Sequence, residues 1–320
     1  EARKNLEKIA QMQSSFKTKE QVLEDFLTAY RQGDEEFAWK INCQTKEMIS
    51  GVWLPDQLSR RYLVARKNKD GRTAKESIEA LTYIGKLEHD RNADFFVRDF
   101  AEYYKNVGDG KIDDLLKAKE LLSEGYKSVK EVNYLEAQKR FIESKELFFN
   151  CGNDLESKYA EFWLAQCFPP SAELVSANEM LKTLLIYFEK NNFLLLKSHT
   201  IEWLSTTAYF NNDITKSINF SKESLQISKG ISDLLGQQKF SQSIGDSYSR
   251  IGETYKPLEY IGQKREISNL YFESQTNLWR DYTSLARAYI NLRMFNTSYD
   301  FANESLLLGN QILKNADVSN

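Results

Sequence analysis

Few residues of this sequence have the types and spacing that enzymes use for catalysis. The two histidines, His89 and His199, stand 110 positions apart, which excludes a histidine-based metal cluster. The motifs HExxH, CxxC, GxGxxG, GxxxxGK(S/T) and GxSxG are all missing, and with them the usual zinc, redox, dinucleotide, phosphate and hydrolase signatures. A cysteine–histidine nucleophile pair is conceivable, for example Cys167 with His199, but apolar neighbours such as Trp163 indicate an inert core thiol. We therefore predict no enzyme activity, no catalytic residue, no metal and no cofactor.

Residues 60–75 form the most basic stretch of the chain. Its cations are Arg60, Arg61, Arg66, Lys67, Lys69, Arg72 and Lys75. They could contact an acidic protein surface or nucleic acid, but we favour a solvated loop between helices. The segment 66–77 resembles a calcium loop only in its Asp-Gly step, because Arg66 and Ser77 occupy positions that need acidic ligands.

The elements that carry these residues are predicted to be helices. Apolar residues recur three and four apart almost everywhere, and the chain of 320 residues holds only 4 prolines and 14 glycines, which argues against a fold rich in β-turns. Hydrophobic residues make up 41% and charged residues 28%, with a net charge of −3. This composition indicates a folded chain and excludes a globally basic nucleic-acid binder. The longest apolar stretches are too short to span a membrane.

A repeat is visible in the second half of the chain. Units in one phase begin near residues 118, 158, 198, 238 and 279, so the period is 40 or 41 residues. Small residues occupy the eighth position of every unit, namely Gly125, Ala165, Ser205, Gly245 and Ala286. Position 20 is small in four units (Ala137, Ala177, Ser217 and Ser298), with Pro257 in the fourth. Because two helices approach closely only where a small side chain faces a bulky one, we predict buried helix contacts at both positions.

This spacing resembles the tetratricopeptide (TPR) pattern, and Tyr134-Leu-Glu-Ala137 is its most typical piece. The resemblance covers residues 111–313 as five helix pairs and implies an all-α, right-handed solenoid of helices A and B. It departs from the family in lacking the usual terminal proline and in exceeding the usual period of 34 residues. Longer helices or longer B-to-A turns would absorb the extra residues, as in the TPR arms of bacterial CHAT-peptidase or sensor-kinase proteins. We expect Pro257 to mark a helix that starts near Lys256.

Residues 1–110 do not carry the repeat but still have helical patterns. Helices are predicted at about 18–31, 34–50, 55–67, 73–87 and 92–106, with Asp34, Asp56 and Thr73 as N-caps and breaks at Gly33, Gly51 and Gly71. The segment is interpreted either as an irregular cap or as degenerate repeats, of which we favour the second. Residues 314–320 are expected to be a frayed tail.

The TPR resemblance also implies where a partner would bind. Helices A of such arrays line a concave groove, and positions 2, 5, 9 and 12 face into it. The predicted partner-binding residues are Tyr126, Tyr159, Phe162, Gln166, His199, Glu202, Tyr209, Lys239, Gln242, Asp246, Arg280, Thr283 and Arg287. Their types predict an aromatic early end and a cationic late end, which suit an extended and possibly acidic peptide.

Two functions fit this reading of the sequence. The first is a non-catalytic scaffold that binds a protein or peptide, and the second is the sensory or regulatory arm of a larger enzyme. A catalytic domain after Asn320 would favour the second. Three cysteines, Cys43, Cys151 and Cys167, are a small, odd number, which favours a reducing, cytoplasmic location.

Overall fold

The computed structural model describes residues 19–46, 52–168, 174–253, 255–270 and 282–318 apart from 284, 288 and 291. These residues form helices, and no β-strand occurs among them. The α-helices are α1 Lys19–Gln32, α2 Glu35–Thr45, α3 Trp53–Lys67, α4 Gly71–Asn92, α5 Phe96–Asn106, α6 Ile112–Lys130, α7 Tyr134–Asn150, α8 Asp154–Ala165, α9 Leu174–Lys190, α10 Leu194–Phe210, α11 Ile214–Gly230, α12 Leu234–Arg250, α13 Lys256–Leu270 and α14 Phe295–Val318. A 3₁₀ turn, Asp109–Lys111, precedes α6. The predicted all-α fold is confirmed.

Repeating turns set the period of the array. A left-handed residue follows six of the helices, at Val132, Gly152, Asn192, Asn212, Ser232 and Gly252. Adjacent members of this series differ by 20 positions wherever the intervening turn is described. The next residue often caps the following helix, as Asn153 does by accepting from the backbone N–H of Glu156 at 3.1 Å. Helices of 17 residues with three-residue turns on both sides therefore account for the period of 40, so the extra residues lie in longer helices.

The small residues lie where the repeat predicts them. Gly125, Ala165, Ser205, Gly245 and Ala286 are all buried, and so are the five residues at position 20. A Cβ atom at Gly125 would come within 2.5 Å of the Phe141 ring, so only glycine fits at this contact. Serines at the contacts hydrogen-bond across the pair: Ser298 Oγ donates to the carbonyl oxygen of Ala286 at 2.9 Å. The burial predicted for both positions is therefore present in all five units, while the division of residues 111–313 into five helix pairs stays a prediction.

Pro257 has both of its expected properties. Helix α13 begins at Lys256, which places Pro257 in its first turn, where a missing N–H is tolerated. Its side chain is buried, and its carbonyl oxygen lies 3.6 Å from the point that a Cβ on Gly245 would occupy. The fourth unit therefore keeps the same helix contact as the others.

Some predicted boundaries in residues 1–110 and at the end of the chain are wrong. Asp34 caps α2 as expected, and Gly33 is left-handed. Helix α3 already begins at Trp53, so Asp56 lies in its first turn. The cap of α4 is Asp70, whose carboxylate accepts from the Thr73 N–H at 3.0 Å; Gly71 is accordingly the first helical residue. Gly51 lies outside the described residues, and α14 continues through the predicted tail to Val318.

The N-terminal helices contact three successive B-to-A turns of the array. The hydrogen bonds run from Tyr103 and Lys111 to the carbonyl oxygen of Cys151, from Asn192 to that of Ala93, and from Asn92 and Lys46 to that of Ile231. In a simple solenoid each repeat contacts only its neighbours. Here the helices before residue 110 lie along the edge formed by the turns, and so they tie units two, three and four together.

Candidate partner-binding surfaces

The structure corrects the early, aromatic end of the predicted groove. Tyr159 is only 2% exposed because Phe96 of α5 packs on it, with ring centroids 6.2 Å apart. Phe162 is 1% exposed and contacts Phe188 of α9 within its own unit. Neither side chain faces an open groove, since one is covered by an N-terminal helix and the other lies in the seam of a helix pair.

Two predicted groove residues of unit three are also buried. His199 Nε2 lies 3.1 Å from Asp233 Oδ2, and its ring meets Phe240 edge-on. Glu202 accepts hydrogen bonds from the hydroxyls of Ser221, at 3.0 Å, and Ser243. Both residues are therefore covered by helices that follow them in the chain.

The other predicted groove residues remain at least partly accessible. Tyr126, Gln166, Tyr209, Gln242, Asp246 and Thr283 are half-buried, whereas Lys239 and Arg287 are exposed. Arg280 lies outside the described residues. The accessible positions are concentrated in units three to five, so the late part of the array keeps the more open face.

A cleft of about 150 Å³ lies on this late face. It is lined by Glu202, Ser205, Thr206, Tyr209, Ser217, Ser243, Asp246, Ser247 and Arg287. Positions 5, 9 and 12 of unit three and position 9 of units four and five supply five of these residues. Predicted groove residues of three successive units thus line one cleft, which we call the late cleft.

Hydroxyl groups and one buried carboxyl dominate the floor of the late cleft. The Ser205 hydroxyl donates to the carbonyl oxygen of Ser217 at 2.8 Å and lies 2.7 Å from the hydroxyl of Ser221. Ser221 in turn donates to Glu202. Burial raises the pKa of Glu202 to about 7, against the opposing influence of Lys239 and the two serine hydroxyls. The floor therefore carries a carboxyl that titrates near neutral pH.

The two exposed cations differ in their surroundings. Lys239 Nζ lies 5.4 Å from the centre of the Trp203 ring, a cation–π contact. Arg287 lines the late cleft beside Asp246. An acidic ligand group at this rim would thus meet cations with a carboxylate close by, so the charge of the rim is mixed.

A buried ionic cluster stands at the opposite end of the array. Lys119, at position 2 of unit one, is fully buried and lies 2.9 Å from Asp56 and 2.7 Å from Glu156. The Tyr104 hydroxyl also donates to Glu156. Because a buried charge is tolerated only when paired and hydrogen-bonded, this cluster fixes α3 and α5 against units one and two.

Most of the basic stretch 60–75 is engaged within the protein. Arg60 pairs with Asp56 and Arg61 with Glu76, both at 2.7 Å. Arg66 donates to the carbonyl oxygen of Val107 at 2.7 Å and pairs with an acidic side chain of the 3₁₀ turn. The expected solvated loop is therefore wrong: only residues 68–70 connect the two helices, and most of the cations lie on α3 and α4, where they contact the protein itself.

The conceivable thiol chemistry does not assemble. Cys167 is buried, and desolvation raises the pKa of its thiol to about 12, while His199 pairs with Asp233. In the part of the chain that the structure describes, no three His, Cys, Asp or Glu side chains converge to hold a metal ion. No described helix is both long enough and apolar enough to cross a membrane.

The sequence analysis missed a row of buried serines on α11, of which Ser217 lines the late cleft. Ser217, Ser221, Ser224 and Ser228 are spaced four, three and four apart on α11, and all are buried. This spacing defines one helix face, so a search for a stripe of small polar residues would have found them.

Comparisons with known proteins give the following matches. No protein-family model matches the chain, and no curated protein matches it in sequence. Two crystal structures of nearly identical TPR-like repeats, from a putative kinesin light chain of Podosopora anserina, resemble it at 12% identity. They cover 61% of this chain and 96% and 95% of their own, with TM-scores of 0.47 and 0.46. We therefore base the assignment of function on the contacts within this chain.

Proposed function

We propose that the chain is a non-catalytic scaffold that binds a protein partner, as an extended peptide, in the late cleft. One observation carries this proposal: Glu202, Thr206, Tyr209, Asp246 and Arg287 all line the same cleft. Thr206, Asp246 and Arg287 occupy position 9 of three successive units, and Glu202 and Tyr209 add positions 5 and 12 of the first of them. A surface that repeats along an array suits a ligand that also repeats, and an extended peptide is the simplest such ligand.

The dimensions and chemistry of the late cleft fit this ligand. Neighbouring helices lie about 10 Å apart and a strand rises about 3.3 Å per residue, so a peptide crossing three units would extend over roughly six residues. The cleft of about 150 Å³ would then take a side chain of this peptide. Hydroxyl groups such as that of Thr206 can donate to or accept from a peptide backbone. Tyr209 offers an aromatic face, and Lys239 and Arg287 offer cations to an acidic side chain.

Selection of peptides from a random library on the purified chain tests this function. Kd values of the selected peptides are then measured by fluorescence anisotropy. Thr206→Arg should block the cleft and abolish binding, and Arg287→Glu should weaken acidic peptides by about tenfold or more. Lys190→Glu is the matched control, because this lysine is exposed on α9, outside the lining of the cleft.

Equal affinity of the wild type and the folded Thr206→Arg variant would contradict the proposal and assign recognition to another surface. Circular dichroism of each variant separates lost binding from lost folding. The alternative, a regulatory arm of a larger enzyme, uses the same face and stays a prediction from the sequence.

A further inference from the structure

A separate cavity of about 350 Å³ lies where the N-terminal helices meet units one and two. Its volume falls within the range of small-molecule sites. Helices α1, α3, α5, α6 and α8 all contribute to its lining. A ligand here would contact both parts of the chain at once.

Aromatic side chains form much of the cavity wall. Trp53 of α3, Phe96 and Phe100 of α5, and Tyr159 of α8 all line it, and each is at most 3% exposed. Leu122 of α6 adds an aliphatic surface. Such a wall favours a flat, apolar body by burial and by ring packing.

One polar group of the wall is the buried hydroxyl of Tyr126. Burial, and after it the neighbouring Tyr159 hydroxyl, raises the pKa of Tyr126, so this hydroxyl keeps its proton. Two phenolic hydroxyls side by side leave acceptor positions that they do not use on each other. A polar atom of a ligand could bond there, because both tyrosines line the cavity.

The charged side chains around the cavity indicate which ligand charge it favours. Asp56 and Glu156 also line it, but both carboxylates are already paired with Lys119. Lys127 and Lys130 of α6 line the cavity while exposed to solvent, so they stand at its opening. Lys19 and Glu20 of α1, also exposed, offset each other there. Glu131 lies 3.9 Å from Lys127, so the positive excess at the opening is that of Lys130. The inner end is neutralised.

We propose that this cavity binds a small organic anion, with its aromatic body between Trp53, Phe96 and Phe100 and its acid group at Lys127 and Lys130. Residues 123, 126, 127 and 130 follow one face of α6, so the hydroxyl of Tyr126 and both ammonium groups reach the same ligand. This site is independent of the late cleft. Because the ligand spans the junction, binding also stabilises the contact of the N-terminal helices with units one and two.

The probe for this site is 8-anilinonaphthalene-1-sulfonate, an aromatic anion whose emission rises in apolar surroundings. We expect one saturable site per chain, with energy transfer from Trp53. The Trp163 ring also lies 4.6 Å from that of Tyr126, which lines the cavity. Trp53→Phe with Trp163→Phe should therefore remove much more of the transfer than Trp203→Phe, which is on the late side of the array. Binding that does not saturate, or that occurs at several equivalent weak sites, would overturn the proposal.

Variants then separate the charge from the apolar wall. Lys127→Glu with Lys130→Glu should raise the Kd for the sulfonate about tenfold or more, yet leave uncharged N-phenyl-1-naphthylamine within about twofold. Lys182→Glu with Lys190→Glu, on exposed positions of α9, makes the same change in net charge and should have no effect. If both double variants behave alike, the anion site is wrong.

Filling the cavity supplies the second arm of the test. Gln57→Trp should abolish binding of both probes, and the milder Tyr126→Phe should weaken the sulfonate several-fold without removing an apolar contact. Melting curves by circular dichroism identify variants that fold. Unchanged binding in a folded variant at both positions would show that the probe lies elsewhere.

Discussion

The two halves of the molecule are built from different interiors. From α1 to α10 one continuous apolar core runs from Phe26 to Leu204, rich in phenylalanine and closed by N-terminal helices. The following helices have a smaller, separate cluster between Ile214 and Tyr248, and serines fill much of the remaining seam. The same repeat geometry is thus combined with burial of large rings in one half and with buried serines in the other. The Ser205 hydroxyl hydrogen-bonds with those of Ser217 and Ser221, whereas the hydroxyls of Ser224 and Ser241 have no hydrogen-bond partner among the described residues.

The two halves also differ in their source of stability and in how far their groove face is accessible. The N-terminal helices cover the groove face of units one and two, where Lys119 and Tyr159 are buried. Units three to five keep Lys239 and Arg287 exposed. Burial of apolar area is the larger source of stability, whereas a hydrogen bond adds only about 1 kcal/mol net. We infer that the first half anchors the array and that the second presents its surface to partners.

The strongest test of the anchored half is removal of its buried cation. Lys119→Met keeps the apolar stem but leaves Glu156 buried without its positive partner. We expect the free energy of unfolding to fall by about 3–5 kcal/mol, measured by urea denaturation. Lys182→Met, which removes an exposed lysine paired with Glu179, should cost less than about 1 kcal/mol. Similar losses in the two variants would remove the claim that the ionic cluster anchors the N-terminal helices.

The stability of the protein should depend on pH through Glu202, which lines the late cleft. The ordinary pKa of a glutamate here is 4.5, and burial raises that of Glu202 to about 7. Between these values the native chain holds a proton that the unfolded chain has released, so the free energy of unfolding falls as pH rises from about 4.5 to about 7. Above pH 7 the contribution of Glu202 to the free energy of unfolding is constant. The full effect is on the order of 3 kcal/mol.

Glu202→Gln isolates that contribution, because an amide resembles the protonated acid and does not titrate. The free energy of unfolding of this variant should not show the fall that Glu202 causes between pH 4.5 and 7. The variant should therefore be more stable than the wild type by the largest margin above pH 7. Parallel stability curves for the two proteins would mean that the pKa of Glu202 in the folded chain equals its ordinary value.

The repeat was readable from sequence because it depends on local spacing. Gly125, Ala165 and Ser205 recur at a fixed period, and each contacts the next helix along the chain, so the pattern and its cause lie within one unit. Pro257 was readable for the same reason. The turns repeat too, but left-handed residues such as Val132 and Ser232 are types that seldom mark such a turn, which hid the regular three-residue connection.

The burial of the early groove residues could not be predicted from the sequence. Lys119 occupies a groove position by its spacing, but its burial depends on Asp56, which precedes it by 63 residues, and on Glu156, which follows it by 37. The same holds for Tyr159, covered by Phe96. Helical periodicity shows which face a residue occupies but not which distant element covers that face. The groove prediction therefore agrees with accessibility mainly where no N-terminal helix intervenes.

The finest comparison between the halves uses one repeat position with two glycines. At Gly125 an added Cβ would lie 2.5 Å from the Phe141 ring, whereas at Gly245 the nearest atom, the Pro257 carbonyl oxygen, would be 3.6 Å away. Both glycines lie inside helices, where alanine is favoured by about 1 kcal/mol.

Gly125→Ala should nevertheless lower the free energy of unfolding by about 1–3 kcal/mol, because the ring must shift. Gly245→Ala should raise it by about 0.5–1 kcal/mol, because the new methyl group makes an ordinary contact. Urea denaturation of both variants decides the matter: effects of the same sign would show that the two seams are packed equally tightly and that the contrast between aromatic and hydroxyl-lined interiors does not extend to the helix contacts.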